Sequence, residues 1–178
     1  IEWGIRVRDI LEMSGADDVQ AVQVGGPSGE CIGPKDFKRT ICFEDLPTGG
    51  SIIIIGKKRN LIKDVVLNFI DFFIEESCGS CAPCRTLPAI MKNKLEKILK
   101  GNGVMQDIED LEQWGAKMKM ANRCGLGQTA ANPILSTIKN FRDEYEGLIR
   151  KDVDFDSGFD LAAAVADSCE YVGRKPNL

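Results

Sequence analysis

The sequence predicts an α+β fold, in which a part with short strands precedes a helical part. Residues 1 to about 56 alternate short β-branched runs with glycine- and proline-rich turns, as is typical of a small sheet. From Leu61 onward, apolar residues recur at helical spacing in four segments that short loops join. Four helices of these lengths favour a small antiparallel four-helix bundle.

The first part is expected to contain one helix and three strands. Residues 7–11 place their apolar side chains on one helical face, and residues 21–24 form a strand that enters the glycine-rich turn 25–29. Further strands are predicted at residues 40–43 and 51–55. The last strand is β-branched without polar alternation, which predicts burial of both its faces.

Three of the four predicted helices follow in order. Residues 61–76 carry apolar side chains nearly all round, which predicts a central buried helix. A second helix is predicted at about 86–100, with Pro88 in its first turn, and a third at about 107–120. The third helix is expected to bury one face, formed by Ile108, Leu111, Gly115 and Met118.

The fourth helix has the clearest start signal. Asn132 is the predicted N-cap and Pro133 occupies the first helical position. Its apolar residues recur at heptad-like spacing, at Ile134, Ile138, Phe141, Tyr145 and Leu148. Beyond it, one short helix is predicted at 161–165, and Pro176 indicates a tail.

The chain of 178 residues contains seven cysteines and no histidine. The lack of imidazole excludes Ser-His-Asp triads, Cys-His protease pairs and histidine-ligated zinc or haem within this chain. Thiols must therefore carry any metal chemistry.

Charge and hydropathy limit the environment and the partners. With 27 acidic against 23 basic side chains the net charge is −4, which argues against a nucleic acid or an anionic membrane as partner. The sequence shows neither 18 consecutive apolar residues nor a signal-peptide pattern, so we expect a cytoplasmic protein without direct membrane insertion. Because the chain starts at Ile1, we also expect it to be part of a longer protein.

The most informative feature is a cysteine constellation. Cys78, Cys81 and Cys84 recur at two-residue spacing, and Cys124 follows in a distant segment. A loop with this spacing can wrap around a compact object such as a 4Fe–4S cluster, whose four irons each take one thiolate. No further cysteine closely follows Cys84, so one cluster is predicted. The two segments fall in loops between helices, which can meet at one end of an antiparallel bundle.

Zinc is the alternative occupant of these four cysteines. Structural zinc sites normally use two separated Cys-x2-Cys knuckles, whereas three of the ligands here lie in one loop. The remaining cysteines, Cys31, Cys42 and Cys169, are most simply small buried hydrophobes. The turn 25–29 lacks the spacing of phosphate-binding glycine loops, so a nucleotide site there is not expected.

Two arginines flank the predicted ligands. Arg85 follows Cys84 directly and Arg123 precedes Cys124. Nearby cations favour the reduced, more negative state of a thiolate-ligated cluster, which makes both arginines candidates for tuning its potential. The alternative for each is a solvated surface charge or a structural ion pair.

These motifs resemble a known family. Residues 75–85 and 123–127 are similar to the C-terminal part of the NADH-oxidising flavoprotein subunit of respiratory complex I and its relatives. Those relatives include the diaphorase subunits of NAD-reducing hydrogenases and of NAD-dependent formate dehydrogenases. Residues 22–29 resemble the β-grasp-like domain that precedes the cluster domain in that family.

The resemblance implies a partial β-grasp-like domain at residues 1–58, a helical iron-sulfur domain at 59–150 and a C-terminal tail at 151–178. It also implies that FMN and NAD(H) bind to an N-terminal part outside this chain. Residues 86–88 depart from the common pattern of the family, and the tail from Asp152 looks closer to the hydrogenase branch.

The resemblance further implies an electron-transfer role. Residues Cys78, Cys81, Cys84 and Cys124 would hold one 4Fe–4S cluster that passes single electrons from FMN to iron-sulfur partner subunits. The terminal enzyme would be a hydrogenase, a formate dehydrogenase or the quinone reductase arm of complex I. The complex would be cytoplasmic or peripheral to a membrane. The runner-up is a zinc-binding scaffold that serves assembly only.

Overall fold

A three-stranded antiparallel sheet in the order β2-β1-β3 forms the centre of the N-terminal part. Strand β1 (Val19–Val24) lies between β2 (Glu30–Ile32) and β3 (Ile52–Gly56). Helix α1 (Val7–Met13) covers one face of the sheet. The computed structural model describes residues 1–152 and 161–174, except for the side chains of residues 161–164 and 168.

The two faces of the sheet bury different sets of side chains, because successive residues of a strand point to opposite sides. Val22 and Val24 pack with Val7 and Leu11 on the side of α1. Ala21 packs with Leu61 on the other side, where the helical part begins. Central strand β1 is therefore covered on both faces.

The helical part starts with the π-helical segment Leu61–Val66, which continues directly into α2 (Leu67–Glu75). The helices that follow are α3 (Ala82–Leu99), α4 (Met105–Ala121), α5 (Gly125–Thr129), α6 (Asn132–Glu146) and α7 (Leu161–Tyr171). Helix α3 packs against α2 and α4, and α4 also packs against α6. No helix in the described ranges has the length and apolar character needed to cross a membrane.

The inward faces of these helices share one apolar core. Its fully buried side chains include Met91, Leu95, Ile98, Ile108 and Tyr145. The face predicted for α4 is confirmed, because Ile108, Leu111, Gly115 and Met118 are all buried. The chain thus has a mixed α/β architecture, with a small sheet beside several packed helices.

Helix α6 joins the sheet to the helical core. The Cys31 amide donates to Oγ of Ser136 at 3.1 Å, and Nδ2 of Asn140 donates to the Cys31 carbonyl at 2.7 Å. Phe141 departs from helical geometry and packs against the face of the sheet that carries Ala21 and Cys31. A Cβ atom at Gly33 would lie 3.2 Å from the Phe141 ring, so the two parts are in close contact.

The strand predicted at residues 40–43 is wrong. Only Thr40 makes a β-bridge there, an isolated one to Arg6. The amide of Thr40 donates to Oδ2 of Asp45 at 2.8 Å. The Asp45 carboxylate and the Leu46 amide thus both fold back onto Thr40, and the chain turns before a longer ladder forms.

The burial predicted for the isoleucine-rich strand is also wrong. Strand β3 lies at the edge of the sheet, and Ile53 remains 39% exposed, whereas Ile55 is buried. Strand β2 was not predicted, because a strand of three residues is too short to show an alternation of apolar and polar side chains.

Two helix predictions need correction. The segment predicted as a helix buried all round begins as a π-helix and leaves Phe72 40% exposed. Helix α3 starts at Ala82, four residues earlier than predicted, so Pro88 lies in the helix interior. Since proline lacks an amide hydrogen, the Cys84 carbonyl has no intrahelical donor at Pro88.

The predicted N-cap of α6 is wrong as well. Ala131 occupies that position, and Nδ2 of Asn132 instead donates to the Ser28 carbonyl at 2.7 Å. In addition, Leu148 lies beyond the end of α6, α5 was not predicted, and α7 extends beyond the predicted 161–165. Pro176 and residues 153–160 lie outside the described residues.

Candidate metal centre

Four cysteines from two distant segments line one cavity of about 190 Å³. Cys78, Cys81 and Cys84 come from the loop after α2 and the start of α3, and Cys124 comes from the junction of α4 and α5. The spacing of the cysteines predicts that these two segments meet, and the four cysteines in the cavity are the candidate ligands named above.

The cysteines differ in local setting. Cys78 is exposed in the loop, Cys81 is the half-buried N-cap of α3, and Cys84 is buried in the first turn of that helix. Cys124 is the exposed N-cap of α5. The expectation that all three clustered cysteines lie in an irregular loop is thus wrong for Cys84.

Hydrogen bonds within the first loop shape its turn. Gly79 has a φ angle of +75°, a left-handed conformation that favours glycine. Its amide donates to Oγ of Ser77 at 3.3 Å, and its carbonyl accepts from Nη1 of Arg85 at 2.6 Å. Oγ of Ser77 also lies 3.4 Å from Sγ of Cys84, within hydrogen-bonding distance for sulfur. The loop therefore places a hydroxyl group directly beside a cavity thiol.

Asn122 is the residue that sequence reasoning missed. Its Oδ1 accepts from the Cys84 amide at 3.1 Å, and its Nδ2 donates to the carbonyls of Met118 at 2.8 Å and Gly127 at 3.0 Å. Asn122 therefore links the two cysteine segments. Its position two residues before Cys124 was the only available signal, and residue type alone gave none.

The two flanking arginines are placed differently. The exposed Arg85 contacts the cysteine loop through the carbonyl of Gly79. Arg123 is also exposed, and no hydrogen bond or ion pair to it is found within residues 1–152 and 161–174. Their role in tuning a bound cluster stays a prediction.

The other cysteines lie away from the cavity. Cys31 is fully buried beside Ala21 and Ile55, and burial raises the pKa of its thiol to about 12. It is the small buried hydrophobe that the sequence predicted. Cys42 and Cys169 are only half-buried, so that prediction is wrong for them.

The glycine-rich turn 25–29 has a structural explanation. Gly25 and Gly26 have positive φ angles, and a Cβ atom at Gly29 would fall 1.7 Å from the Val24 carbonyl oxygen. The turn therefore requires glycine for its own backbone path.

The donor set and the geometry of the cavity fit an iron-sulfur cluster. Four thiols are the donors that such clusters use. In the described part of the chain, no three Cys, Asp or Glu side chains lie close enough together to hold a single metal ion. The cavity of about 190 Å³ that the thiols line has room for a multi-atom cofactor.

Comparison with known proteins identifies the region. Residues 64–148 match a family model described as the NADH-ubiquinone oxidoreductase-F iron-sulfur binding region. The alpha subunit of the NAD-reducing hydrogenase HoxS from Cupriavidus necator is 40% identical over 167 residues, covering 93% of this chain and 28% of that protein. The F component of the NADH-quinone oxidoreductase from Rickettsia massiliae is 29% identical over 159 residues, covering 83% of this chain and 38% of that protein.

A solved structure agrees with these relatives. The crystal structure of an NAD+-reducing NiFe hydrogenase in the H2-reduced state superposes with a TM-score of 0.80 at 32% identity. The match covers 99% of this chain and 31% of that one. The chain thus spans about a third of the length of the relatives it matches. It belongs to the family of NADH-oxidising flavoprotein subunits that occur in respiratory complex I and NAD-reducing hydrogenases, and it contains their iron-sulfur binding region.

Proposed function

We propose that Cys78, Cys81, Cys84 and Cys124 together hold one 4Fe–4S cluster in an electron-transfer module. The module relays single electrons between FMN and iron-sulfur partner subunits. The FMN would be bound by a part of the protein outside these 178 residues. When bound, the cluster takes up and releases one electron at a time. The observation that carries the proposal is the convergence of four cysteines from two segments on one cavity, in a region of iron-sulfur binding type.

The residues around the cavity have separate tasks in this proposal. The N-terminus of α3 carries the positive end of the helix dipole and lies beside Cys81 and Cys84, where it would attract a negatively charged cluster. Oγ of Ser77 lies 3.4 Å from Sγ of Cys84 and could donate its hydrogen to that sulfur once it is bonded to iron. Such a bond stabilises the more negative, reduced state. Arg85 and Arg123 add positive charge beside two of the ligands.

The exposed cysteines indicate where electrons enter or leave. Cys78 and Cys124 are exposed, whereas Cys84 is buried on the core side of the cavity. A redox partner that docks over the exposed side approaches the ligands without disturbing the helical core. We propose this side as the contact surface for an iron-sulfur partner subunit.

The finer architecture belongs to the same proposal. Residues 1–58 would form a partial β-grasp-like domain, residues 59–150 a four-helix bundle carrying the cluster, and residues 151–178 a C-terminal tail. Support for the bundle comes from the shared apolar core of α2, α3, α4 and α6. The hydrogen bonds between α6 and the sheet mean that the first two units would share an interface.

The proposed assembly follows from the relatives. HoxS and NADH-quinone oxidoreductase are named for reactions of nicotinamide cofactors, so we propose that NAD(H) and FMN serve the whole protein of which this region is part. The partners would be iron-sulfur subunits and a terminal hydrogenase, formate dehydrogenase or quinone reductase arm. We propose a cytoplasmic location, or a peripheral one at a membrane.

The zinc scaffold is the weaker candidate. A tetrahedral zinc site draws four sulfurs to about 2.3 Å from one ion. The cavity of about 190 Å³ that the four cysteines line is larger than a single ion needs.

Metal analysis of the full chain, purified anaerobically, separates the two candidates. We expect about four irons and four acid-labile sulfides per chain, with a paramagnetic signal that appears on reduction. One zinc per chain and no visible colour would reject the iron-sulfur proposal. The relevant control is a chain in which Cys78, Cys81, Cys84 and Cys124 are all serine, which should bind neither metal.

A further inference from the structure

We infer that Asn122 is a positioning residue that fixes the separation between the Cys84 segment and the Cys124 segment. The inference rests on the proposed function, because it assigns Asn122 a role toward the cluster that these cysteines would hold. It concerns the residue that connects the ligand segments, not the identity of the ligands.

The hydrogen bonds of Asn122 reach three separate backbone positions. Oδ1 accepts from the Cys84 amide, and Nδ2 donates both its hydrogens, to the carbonyls of Met118 and Gly127. A primary amide has two donor hydrogens and one acceptor oxygen, so the side chain is nearly saturated. At 5% exposure it is also buried. A buried amide with three good bonds has one orientation, and that orientation ties the start of α3 to the end of α4 and the turn of α5.

The need for Asn122 follows from the identity of the residue at the start of α3. The first amides of a helix lack intrahelical partners and are normally capped by the side chain of the N-cap residue. Here the N-cap is Cys81, which makes no capping hydrogen bond. Cys81 instead lines the cavity. The acceptor for the Cys84 amide therefore comes from another segment, and Asn122 supplies it.

Gly127 provides an independent indication that Asn122 is held firmly. A Cβ atom at Gly127 would lie 2.8 Å from Cγ and 2.9 Å from Cβ of Asn122. These are inner atoms of a buried side chain, which cannot move aside freely. The Cys124 segment thus contacts the amide sterically as well as through the Gly127 carbonyl.

This arrangement predicts how substitutions should act on a bound cluster. Asn122→Ala leaves the Cys84 amide without its acceptor and removes the link to Gly127, so the spacing between the two ligand segments loosens. Substitution of a residue that is hydrogen-bonded to a metal ligand typically changes the metal affinity by about 10- to 100-fold. We expect iron release to a chelator to accelerate roughly tenfold, with an altered paramagnetic signal of the reduced protein and a far-ultraviolet circular dichroism spectrum like that of the wild type.

Matched controls distinguish positioning from general loss of hydrogen bonds. Thr86 and Thr129 each donate a hydroxyl to a carbonyl within their own helix, one beside Cys84 and one beyond Cys124. Thr86→Ala and Thr129→Ala remove one bond from each segment but none between the segments. Both should keep the wild-type rate of iron release and the wild-type signal.

A double-mutant cycle tests whether Gly127 acts through Asn122. Gly127→Ala should alter the signal and the release rate in the wild-type background, because the added methyl group displaces the amide. In the Asn122→Ala background the clash with Cγ and the amide is removed and only the contact with Cβ remains, so the same substitution should have a smaller effect than in the wild-type background. Gly127→Ala also serves as the milder variant if Asn122→Ala folds poorly.

The outcomes separate this inference from the proposed function. If the wild-type chain binds iron and sulfide but Asn122→Ala and Gly127→Ala behave like the threonine controls, the positioning role is refuted and the proposed function stands. Strictly additive effects of the two substitutions also refute it. A wild-type chain that binds no iron refutes both.

Discussion

The helical core and the cysteine cavity lie next to each other but are built in different ways. The core is apolar and redundant, with side chains such as Leu95, Ile108 and Tyr145 fully buried together. The cavity depends on a few directional hydrogen bonds and leaves Cys78 and Cys124 exposed. The stability of the iron-free chain and the binding of a cofactor should therefore be separable, because different residues carry them.

The largest expected effect is on the cavity. Cys124→Ser should remove most of the bound iron and sulfide while leaving the free energy of unfolding of the iron-free chain nearly unchanged. Cys124 is exposed at the N-cap of α5, and serine is a favourable N-cap. Elemental analysis and visible absorption measure the first quantity, and urea unfolding the second.

Cys42→Ser is the matched control, since Cys42 is a half-buried cysteine outside the cavity. It should keep the wild-type iron content. Wild-type iron content in Cys124→Ser would remove that residue from the ligand set and would leave the cavity without its fourth thiolate.

The converse experiment truncates a buried side chain of the helical core and leaves the cavity intact. Leu95 is fully buried in α3, and truncation of a buried leucine to alanine costs about 2–5 kcal/mol. Leu95→Ala should lower the free energy of unfolding of the iron-free chain by this amount in urea. Its iron stoichiometry should match the wild type under conditions where the chain stays folded.

Ile90 gives a comparison on the same helix. It is 43% exposed, so Ile90→Ala should cost clearly less than Leu95→Ala. Equal losses at the two positions would show that the helical core does not dominate the stability.

A smaller effect on the free energy of unfolding is expected from Asp107, a buried carboxylate beside the helical core. The buried Asp107 carboxylate accepts from the Val104 amide and pairs with Lys94 at 2.6 Å and Lys97 at 3.0 Å. Burial by itself raises the pKa of Asp107, but the hydrogen bonds from Lys94, the Val104 amide and Lys97 outweigh it and lower that pKa. A lowered pKa in the folded state stabilises the protein above the unfolded value of about 3.9. This stabilisation is lost as the pH falls through the folded pKa.

Asp107→Asn should therefore cost about 1–3 kcal/mol at pH 7 and flatten the loss of stability below about pH 4. Urea unfolding at pH 7 and pH 3 measures both effects. Asp9→Asn is the control, because Asp9 pairs with Arg6 at an exposed position and should matter little at pH 7. A pH profile for Asp107→Asn parallel to that of the wild type would contradict the assignment.

Sequence periodicity predicted those parts of the fold that depend on local pattern. Helix α4 repeats its apolar residues every three or four positions, and the predicted face is the buried one. The strand predicted at residues 40–43 does not form, because a strand needs a partner along its length and the chain turns back so that Asp45 accepts from the Thr40 amide. The burial of β3 failed because its position at the sheet edge depends on topology.

For the candidate site, too, the sequence predicted one part and missed another. Cysteine spacing predicted that two distant segments meet, and they line one cavity. That the four thiols act as ligands stays a prediction. Asn122 could not be found in this way, because its bonds to the Cys84 amide and the Gly127 carbonyl arise only from the packing of α3 beside the end of α4.

The spacing of the cysteines along the chain has a consequence for the unfolded protein. Cys84 and Cys124 are 40 positions apart. A cofactor bonded to both would act as a cross-link, which would close this loop in the unfolded chain as well if the bonds persisted there. Such a closure reduces the conformational entropy of the unfolded chain by an amount equivalent to about 4 kcal/mol. Loss of the cofactor would thus lower stability even if no contact in the folded helices changed, so the redox group would also serve as a staple of the fold.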